Sequence, residues 1–411
     1  MEAFIVSMLT AAAKHMPAHL AASYFKKKSS PDVEESRRRA GGFLKGVCHP
    51  SENYGQVRGA GFEWIRKDIP FPFDRDGNVR QRYLDWKEEM RRYSENGLRV
   101  LAVSPFPKHF LDDGGIDPRL PENEARVREA AAFMAKDLQG TVGAIQVSNE
   151  MGVPRFTTPM ETMEQGARFL GIQLEAMYPL RGGLLIGYNA VMTQADLHEK
   201  MRPWHKYCDY VGVDIYIGCF APVGNWMVMF DVMLRYTWSM TGRPLIITEF
   251  GYISGGAPKT KAEKSAILQR YGVSSEKEAR KKIDMVMENI QRANPKMWEY
   301  VTRHASGGCA DFLFKLDFCN HFYSELPRTT VIRKYPHTAE GQAGFYRDIF
   351  PRLAKLPFLI GAFVYCWKDD AKCHVCNQED CPTETRWGLV DTRGNEKPGY
   401  YAVRDALGKL S

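Results

Sequence analysis

Eight short apolar runs recur along the chain, each bounded by polar or turn-forming residues. They are 42–50 "GFLKGVCHP", 61–71 "GFEWIRKDIPF", 97–106 "GLRVLAVSPF", 142–150 "VGAIQVSNE", 183–190 "GLLIGYNA", 210–218 "YVGVDIYIG", 244–252 "PLIITEFGY" and 358–367 "FLIGAFVYCW". Between most of them the apolar positions take up a helical period. Tyr83, Trp86, Met90 and Tyr93 mark one stripe, which Gly97 ends, and residues 121–138 open with proline and acidic residues, as a helix start does. Near-continuous apolar strands alternating with amphipathic helices predict a parallel sheet covered on both faces. Eight strands are also the number that closes a barrel, so the expected fold class is α/β, a (β/α)8 TIM barrel.

Two stretches depart from this rhythm. Residues 1–42 read as an N-terminal helical extension closing with "AGG", ahead of a barrel spanning 43–411. Residues 253–357 separate the seventh and eighth runs, far more than one crossover helix needs. Residues 338–357 make a good crossover helix, which leaves 255–335 as an insertion after strand 7, with helices of its own such as 274–294 and an aromatic-rich stretch at 309–327. Leaving a strand's C-terminal end, the insertion is expected to overhang the face where barrel sites lie, or else to serve as a stabilising subdomain or a homo-oligomer contact.

With 411 residues, 44% of them hydrophobic, the chain can bury a large core. Its net charge is +7, but much of the excess sits in "FKKK" (25–28) and "SRRR" (36–39), outside the strand pattern. Those runs are expected to be solvated helical faces, with no nucleic-acid partner. No stretch is apolar for long enough to cross a bilayer, so no membrane partner is expected. The first 21 residues begin with Met1-Glu2 and carry Lys14 and His15, which argues against a secretory signal. Nine cysteines, an odd number in a long chain, fit a reducing, cytoplasmic location better than a disulfide framework.

Carboxylates end two of the apolar runs. Asn149 and Glu150 close the fourth and Glu249 the seventh, and in a barrel such strand ends converge on one mouth. A carboxylate at the end of a buried strand is costly unless it is paired, hydrogen-bonded or used. The Asn-Glu pair, the glutamate in "TEFG" (248–251) and a tryptophan, Trp367, ending the eighth run resemble clan A of the retaining glycoside hydrolases, which are (β/α)8 barrels. Residues 387–406, "WGLVDTRGNEKPGYYAVRDA", are similar to the closing loop and helix of many members. The resemblance covers most of 43–411 and leaves the family within the clan unresolved.

The resemblance implies a retaining hydrolase of β-glycosidic bonds acting on a glycoside or oligosaccharide, with Glu249 as nucleophile and Glu150 as acid/base. Such a pair stands about 5 to 5.5 Å apart. Arg66, ending strand two, and Tyr216, ending strand six, are expected to hydrogen-bond Glu249, and Asn149 to donate to the sugar 2-hydroxyl. Trp367 is the candidate sugar platform, and His109 and Asn189 are further candidates for binding hydroxyls, with His49 and Asp214 also near strand ends. Lys108, His109 and Lys368 near the mouth would suit an acidic sugar. A transglycosylase sharing this site is the nearest alternative, and a carbohydrate-binding barrel without turnover is another. A metal-dependent barrel hydrolase would need His and Asp clusters at strand ends, which the chain lacks.

The loop after the eighth run places Cys366, Cys373, Cys376 and Cys381 within sixteen residues, with His374 among them. Cys373 and Cys376 have the C-x2-C spacing that suits zinc, making the four cysteines candidate ligands of a structural zinc, with a disulfide or free thiols as alternatives. No cofactor or metal is expected in the chemistry, because a two-carboxylate mechanism needs none.

Overall fold

The computed structural model describes residues 31–191, 194–219, 226–305, 307–314, 316–326 and 331–410. Eight parallel strands close into a barrel in chain order: β1 (Leu44–Cys48), β2 (Trp64–Asp68), β3 (Arg99–Val103), β4 (Ala144–Val147), β5 (Leu185–Val191), β6 (Tyr210–Ile215), β7 (Leu245–Phe250) and β8 (Leu359–Val364). β8 pairs back onto β1, with Val364 beside Val47. All eight expected strands are present. Their near-continuous apolar character follows from burial on two sides, lumen within and helices without.

The helices α1 (Pro31–Ala40), α2 (Gln81–Glu95), α3 (Glu124–Asp137), α4 (Met163–Met177), α5 (Ala195–Lys200) and α6 (Trp226–Thr241) lie along the chain before β7. α2 buries the stripe Tyr83, Trp86, Met90 and Tyr93. α3 buries Val127, Ala130, Ala131, Met134 and Ala135, one face at helical spacing. α4 begins with a capping box in which Thr162 accepts from the Gln165 N–H and the Gln165 side chain reaches back.

α1 corrects the reading of the basic run at 36–39 as a solvated face. Ser36 Oγ donates to the Asp209 carbonyl at 3.0 Å, Arg37 to the Leu359 carbonyl at 2.8 Å, and Arg39 to Asp209 Oδ1 at 2.7 Å and to the Leu184 carbonyl. These acceptors sit where β5, β6 and β8 begin. The multi-donor guanidinium forks therefore plug the N-terminal end of the barrel, and of the three arginines only Arg38 points into solvent, paired with Glu35. The rest of the extension expected at 1–42, including "FKKK", lies outside the described residues.

Between β7 and β8 come α7 (Lys261–Arg270), α8 (Glu276–Lys281), α9 (Ile283–Ala293), α10 (Pro295–His304), α11 (Cys309–Phe314), α12 (Leu316–Tyr323) and then α13 (Ala339–Leu353), the crossover helix. The stretch 274–294, expected as one helix, is broken at Lys282, whose backbone (φ −117°, ψ 37°) leaves the helical region. α7 to α12 have an apolar cluster apart from the main core, built around Leu268, Val286, Ile290, Met297, Val301 and Phe322. It is completed by Cys373, Val375, Cys376 and Cys381 from the loop after β8. α14 (Pro398–Leu407) packs on α13 and ends the fold. Among the described residues no helix is long and apolar enough to cross a membrane.

Outside β5 the Tyr188 hydroxyl sits between His198 Nδ1 (2.9 Å) and His205 Nε2 (3.0 Å). Burial pulls the pKa of His198 down to about 3 and that of His205 to about 4, so both rings are neutral in the folded protein. Unfolded histidine titrates near 6.5, so the unfolded chain takes up these protons first as pH falls. The stability they contribute is complete above pH ~6.5 and is lost on acidification toward 4, at up to about 1.4 kcal/mol per pH unit for each ring. We expect Tm to fall between pH 7 and pH 5 and the slope to flatten in His198→Gln. An unchanged slope in that variant would assign the acid sensitivity to other groups.

Candidate active site

The C-terminal strand ends surround a bowl of about 460 Å3. Its floor carries Arg66 from β2, Asn149 and Glu150 just past β4, Asp214 from β6 and Glu249 from β7, with Tyr216 beside them. Phe106, Phe156, Tyr365 and Trp387 supply aromatic wall, and His49, Asp68, Val191, His374 and Glu384 complete the lining. Parallel closure is what brings these residues together from positions nearly 340 residues apart in the chain. The volume lies in the range of small-ligand sites.

Arg66 organises the floor. Only 1% exposed, it donates from Nη1 to Glu249 Oε1 (2.5 Å), from Nη2 to Asn149 Oδ1 (2.6 Å) and from Nε to Gln146 Oε1 (3.1 Å). Burial alone works against its charge, but Glu249 and the other nearby acids outweigh that and hold its pKa above the usual arginine value. The other oxygen of Glu249, Oε2, accepts from the Tyr216 hydroxyl. Burial and then the Glu249 charge push the Tyr216 phenol well up, so it stays a donor.

A second set of bonds orients the acid side. Asn149 Oδ1 accepts from Arg66, from Gln146 Nε2 (3.1 Å) and from Asn189 Nδ2 (2.8 Å), which fixes the amide and leaves its NH2 for the bowl that Asn149 lines. Asn189 Oδ1 accepts from the Glu150 backbone N–H at 2.8 Å. That bond holds Glu150 at φ 40°, a left-handed conformation in which a residue with a side chain is strained; Ser148 (φ 57°) and His49 (φ 51°) are held likewise at their strand ends. Such strain persists only where the surroundings enforce it. Gly212 permits the close approach: a Cβ there would lie 2.7 Å from Asn189 Cβ and 2.8 Å from Thr248 Cγ2.

Asp214 is the third acid of the floor. It meets Asn189 Nδ2 through Oδ2 (2.7 Å) and Thr248 Oγ1 through Oδ1 (2.6 Å). Burial first, then the charges of Glu249 and Glu150, raise its pKa well above the usual carboxylate range. As placed, Thr248 Oγ1 donates to Oδ1; in the protonated form the carbonyl oxygen still accepts from Asn189 and the bond to Thr248 reverses, the carboxyl O–H donating to the hydroxyl oxygen.

Of the residues singled out by sequence, Glu150, Glu249, Arg66, Asn149 and Tyr216 meet at the bowl, as do His49 and Asp214. Asn189 lies beneath it, bonded to the Glu150 N–H, Asn149 Oδ1 and Asp214 Oδ2, and so positions Glu150 and Asn149 from below. Trp367 does not reach the bowl. It is fully buried, its indole N–H donates to Ser51 Oγ at 3.1 Å, and its rings pack edge-on to Phe62 and Tyr400, so the face expected for a sugar is covered. Tyr365 and Trp387 occupy the aromatic wall instead. His109 caps its own short helix, accepting from the Phe106 N–H at 3.3 Å and stacking on the Phe106 ring, and burial lowers its pKa. Lys108 pairs with Asp112 at the surface, and Lys368 lines a neighbouring cleft.

Cys366 stands apart from the other loop cysteines, with its thiol directed to the Lys368 carbonyl at 3.3 Å. A buried cluster does form, from Cys373, Cys376, Cys381 and His321 of α12, with the four ligand-type atoms within 4.8 Å of one another. His321 was not read from sequence because it lies 52 residues before Cys373. Gln146, Trp387, Tyr365 and Glu384 were missed too, and His374 was noted beside the cysteines without its place at the bowl. Of these only Gln146, a polar residue inside the apolar β4 run, carried a visible signal.

No protein-family model and no curated protein matches the chain. Solved structures do share its fold. A family 39 glycoside hydrolase from Bacteroides cellulosilyticus is 12% identical with a TM-score of 0.51, over 90% of this chain and 65% of that one. The GH53 catalytic domain of Ignisphaera aggregans is 13% identical with a TM-score of 0.51, over 94% of this chain and 96% of that one. The β-glucuronidase of Bifidobacterium dentium is 12% identical with a TM-score of 0.52, over 90% of this chain and 47% of that one. At such identity the likeness is one of fold: the chain is a closed (β/α)8 barrel of the kind that glycoside hydrolases use.

Proposed function

We propose that the protein is a retaining glycoside hydrolase of the clan A type, cleaving β-linked glycosides by double displacement. One observation carries the reading: Glu249 has each carboxylate oxygen gripped by a buried donor, Arg66 on one and Tyr216 on the other, in a bowl that Glu150 also lines. A grip of this kind aims a carboxylate at a fixed point, as a nucleophile requires. Glu249 then attacks the anomeric carbon while Glu150 protonates the departing oxygen. Glu150 next removes a proton from water, which attacks the same carbon and releases the sugar with its configuration retained. The Asn149 amide donates to the sugar 2-hydroxyl, and Trp387 and Tyr365 offer apolar ring faces to the pyranose.

Asp214 is given no role as a base in this scheme, because burial and the neighbouring Glu249 and Glu150 charges favour its protonated form. No cofactor enters the chemistry, and the His321 cluster serves structure. A transglycosylase would use the same groups with a sugar hydroxyl in place of water. A barrel that only binds carbohydrate has no use for the strained Glu150 and the doubly held Glu249. Free cysteines among the described residues agree with a cytoplasmic location.

The bowl also speaks to substrate charge. Among the described residues lining it, Asp68, Glu249 and Glu384 face a single arginine already engaged with Glu249, Asn149 and Gln146, while this scheme keeps Glu150 and Asp214 protonated and so uncharged. With Lys108 and Lys368 elsewhere, the expectation of an acidic sugar gives way to a neutral one, because a uronate carboxylate would enter a field of like charge.

On a panel of aryl β-glycosides we expect neutral sugars to be cleaved at least about tenfold faster than uronides, the size of one unfavourable charge contact of ~1.4 kcal/mol. Glu249→Ala and Glu150→Ala should lower kcat on the same substrate by about 10^3 or more. Hydrolysis persisting in Glu249→Ala would overturn the assignment.

Asp214→Asn reproduces the bonding of a neutral acid, with Oδ1 toward Asn189 and the amide N–H toward Thr248. It should keep kcat within about tenfold of wild type. A collapse like that of Glu249→Ala would mean that Asp214 acts as a carboxylate.

A further inference from the structure

We propose that His321, Cys373, Cys376 and Cys381 bind one zinc ion, and that this ion fastens α7–α12 to the wall of the bowl. All four residues are buried. A tetrahedral zinc with Zn–S near 2.3 Å and Zn–N near 2.0 Å holds its ligand atoms roughly 3.5 to 3.8 Å apart. His321 Nδ1 lies 3.5 Å from Cys373 Sγ and 3.4 Å from Cys381 Sγ, edges of such a tetrahedron. A single imidazole lone pair cannot serve two thiols well at once, whereas a central cation uses the nitrogen and the sulfurs together. A disulfide would join two sulfurs and leave the third, with the histidine, stranded in an apolar core.

The surroundings are those of thiolate ligands. The Cys376 backbone N–H points at Cys373 Sγ (3.4 Å) and Gln378 Nε2 at Cys376 Sγ (3.5 Å), donors that orient and stabilise metal-bound sulfur. The C-x2-C turn is closed by Asn377 N–H to the Cys373 carbonyl (2.8 Å) and Cys373 N–H to the Gln378 carbonyl (2.9 Å). Three sulfurs and one imidazole select zinc over oxygen-seeking magnesium, calcium or manganese, and four protein ligands with no open position make a structural site.

The ion would join two segments far apart in the chain. His321 belongs to α12, while the cysteines belong to the loop after β8. That loop carries His374 between two ligands and leads directly into Pro382–Thr385, where Glu384 stands; both side chains line the bowl, 3.8 Å apart. No described residue of 255–335 lines the bowl itself. On this proposal the helical segment acts on the site through the clasp. The metal site is independent of the glycosidase reading; only its meaning for the sugar rests on it.

The test is metal analysis of the full-length protein purified without chelator, as wild type, His321→Ala, Cys376→Ser and Cys366→Ser. We expect about one zinc per chain in wild type and Cys366→Ser, and at least about a fivefold loss in the other two. Cobalt exchanged into wild type should show tetrahedral d–d bands and thiolate charge-transfer bands. Should the ligand variants not fold, stripping wild type with chelator should expose the 366–387 loop to protease, and added zinc should reverse it. Wild type that neither contains nor takes up zinc or cobalt, loss of the metal in Cys366→Ser, or a disulfide among the three cysteines would overturn the proposal. Zinc-loaded wild type that cleaves no glycoside would overturn the functional reading and leave the site standing.

Discussion

The guanidinium of Arg66, shut away at the barrel floor, is the constraint on which the rest of the site depends. A charge so placed is tolerated only if it is paired and its nitrogens find acceptors. Each of its three nitrogens has one: Gln146 on β4, Asn149 just past it and Glu249 on β7. The requirement works in both directions. Glu249 is aimed by Arg66, and Arg66 stays buried because Glu249 is there. Through Asn149 and Asn189 the same network reaches the backbone of Glu150, so the two carboxylates are positioned by one connected set of bonds.

Around this floor the molecule divides the work. Strands set the floor, because their ends cannot move independently in a closed barrel. Loops set the walls, and a loop needs its own support. The loop after β8 obtains it on both sides. Lys397 pairs with Asp369 at its near end, and the α7–α12 cluster buries Cys373, Cys376 and Cys381 at its far end. At the opposite face of the barrel Arg37 and Arg39 close the strand beginnings, where conservation of shape rather than chemistry is at stake.

Much of this was legible in the sequence, for a definable reason. Parallel strands buried on both sides leave continuous apolar runs, so β1 to β8 could be read directly, and a charge at the end of such a run, Glu150 or Glu249, stands out against it. Residues whose meaning depends on side-chain direction were harder. Trp367 lies two residues beyond Tyr365 in the same segment, yet Tyr365 faces the bowl and Trp367 is sealed beneath Ser51 and Tyr400. Cys366 sits beside the cluster in sequence and outside it in space. His321 joins the cluster from another element, which no spacing rule within the loop could reveal. The arginines at 37 and 39 look like surface charge until the strand-start carbonyls they serve are in view.

Double displacement requires Glu249 to form a bond to the sugar. Its most direct test is to incubate the protein with 2-deoxy-2-fluoro β-glycosides of neutral sugars bearing a good leaving group, then to weigh the intact chain and map the modified peptide. The fluorine slows both steps and the leaving group restores the first, so the glycosyl-enzyme accumulates. Double displacement should leave one sugar per chain, carried on Glu249. A label on another residue, or hydrolysis of the parent glycoside with inversion and no label, would contradict it.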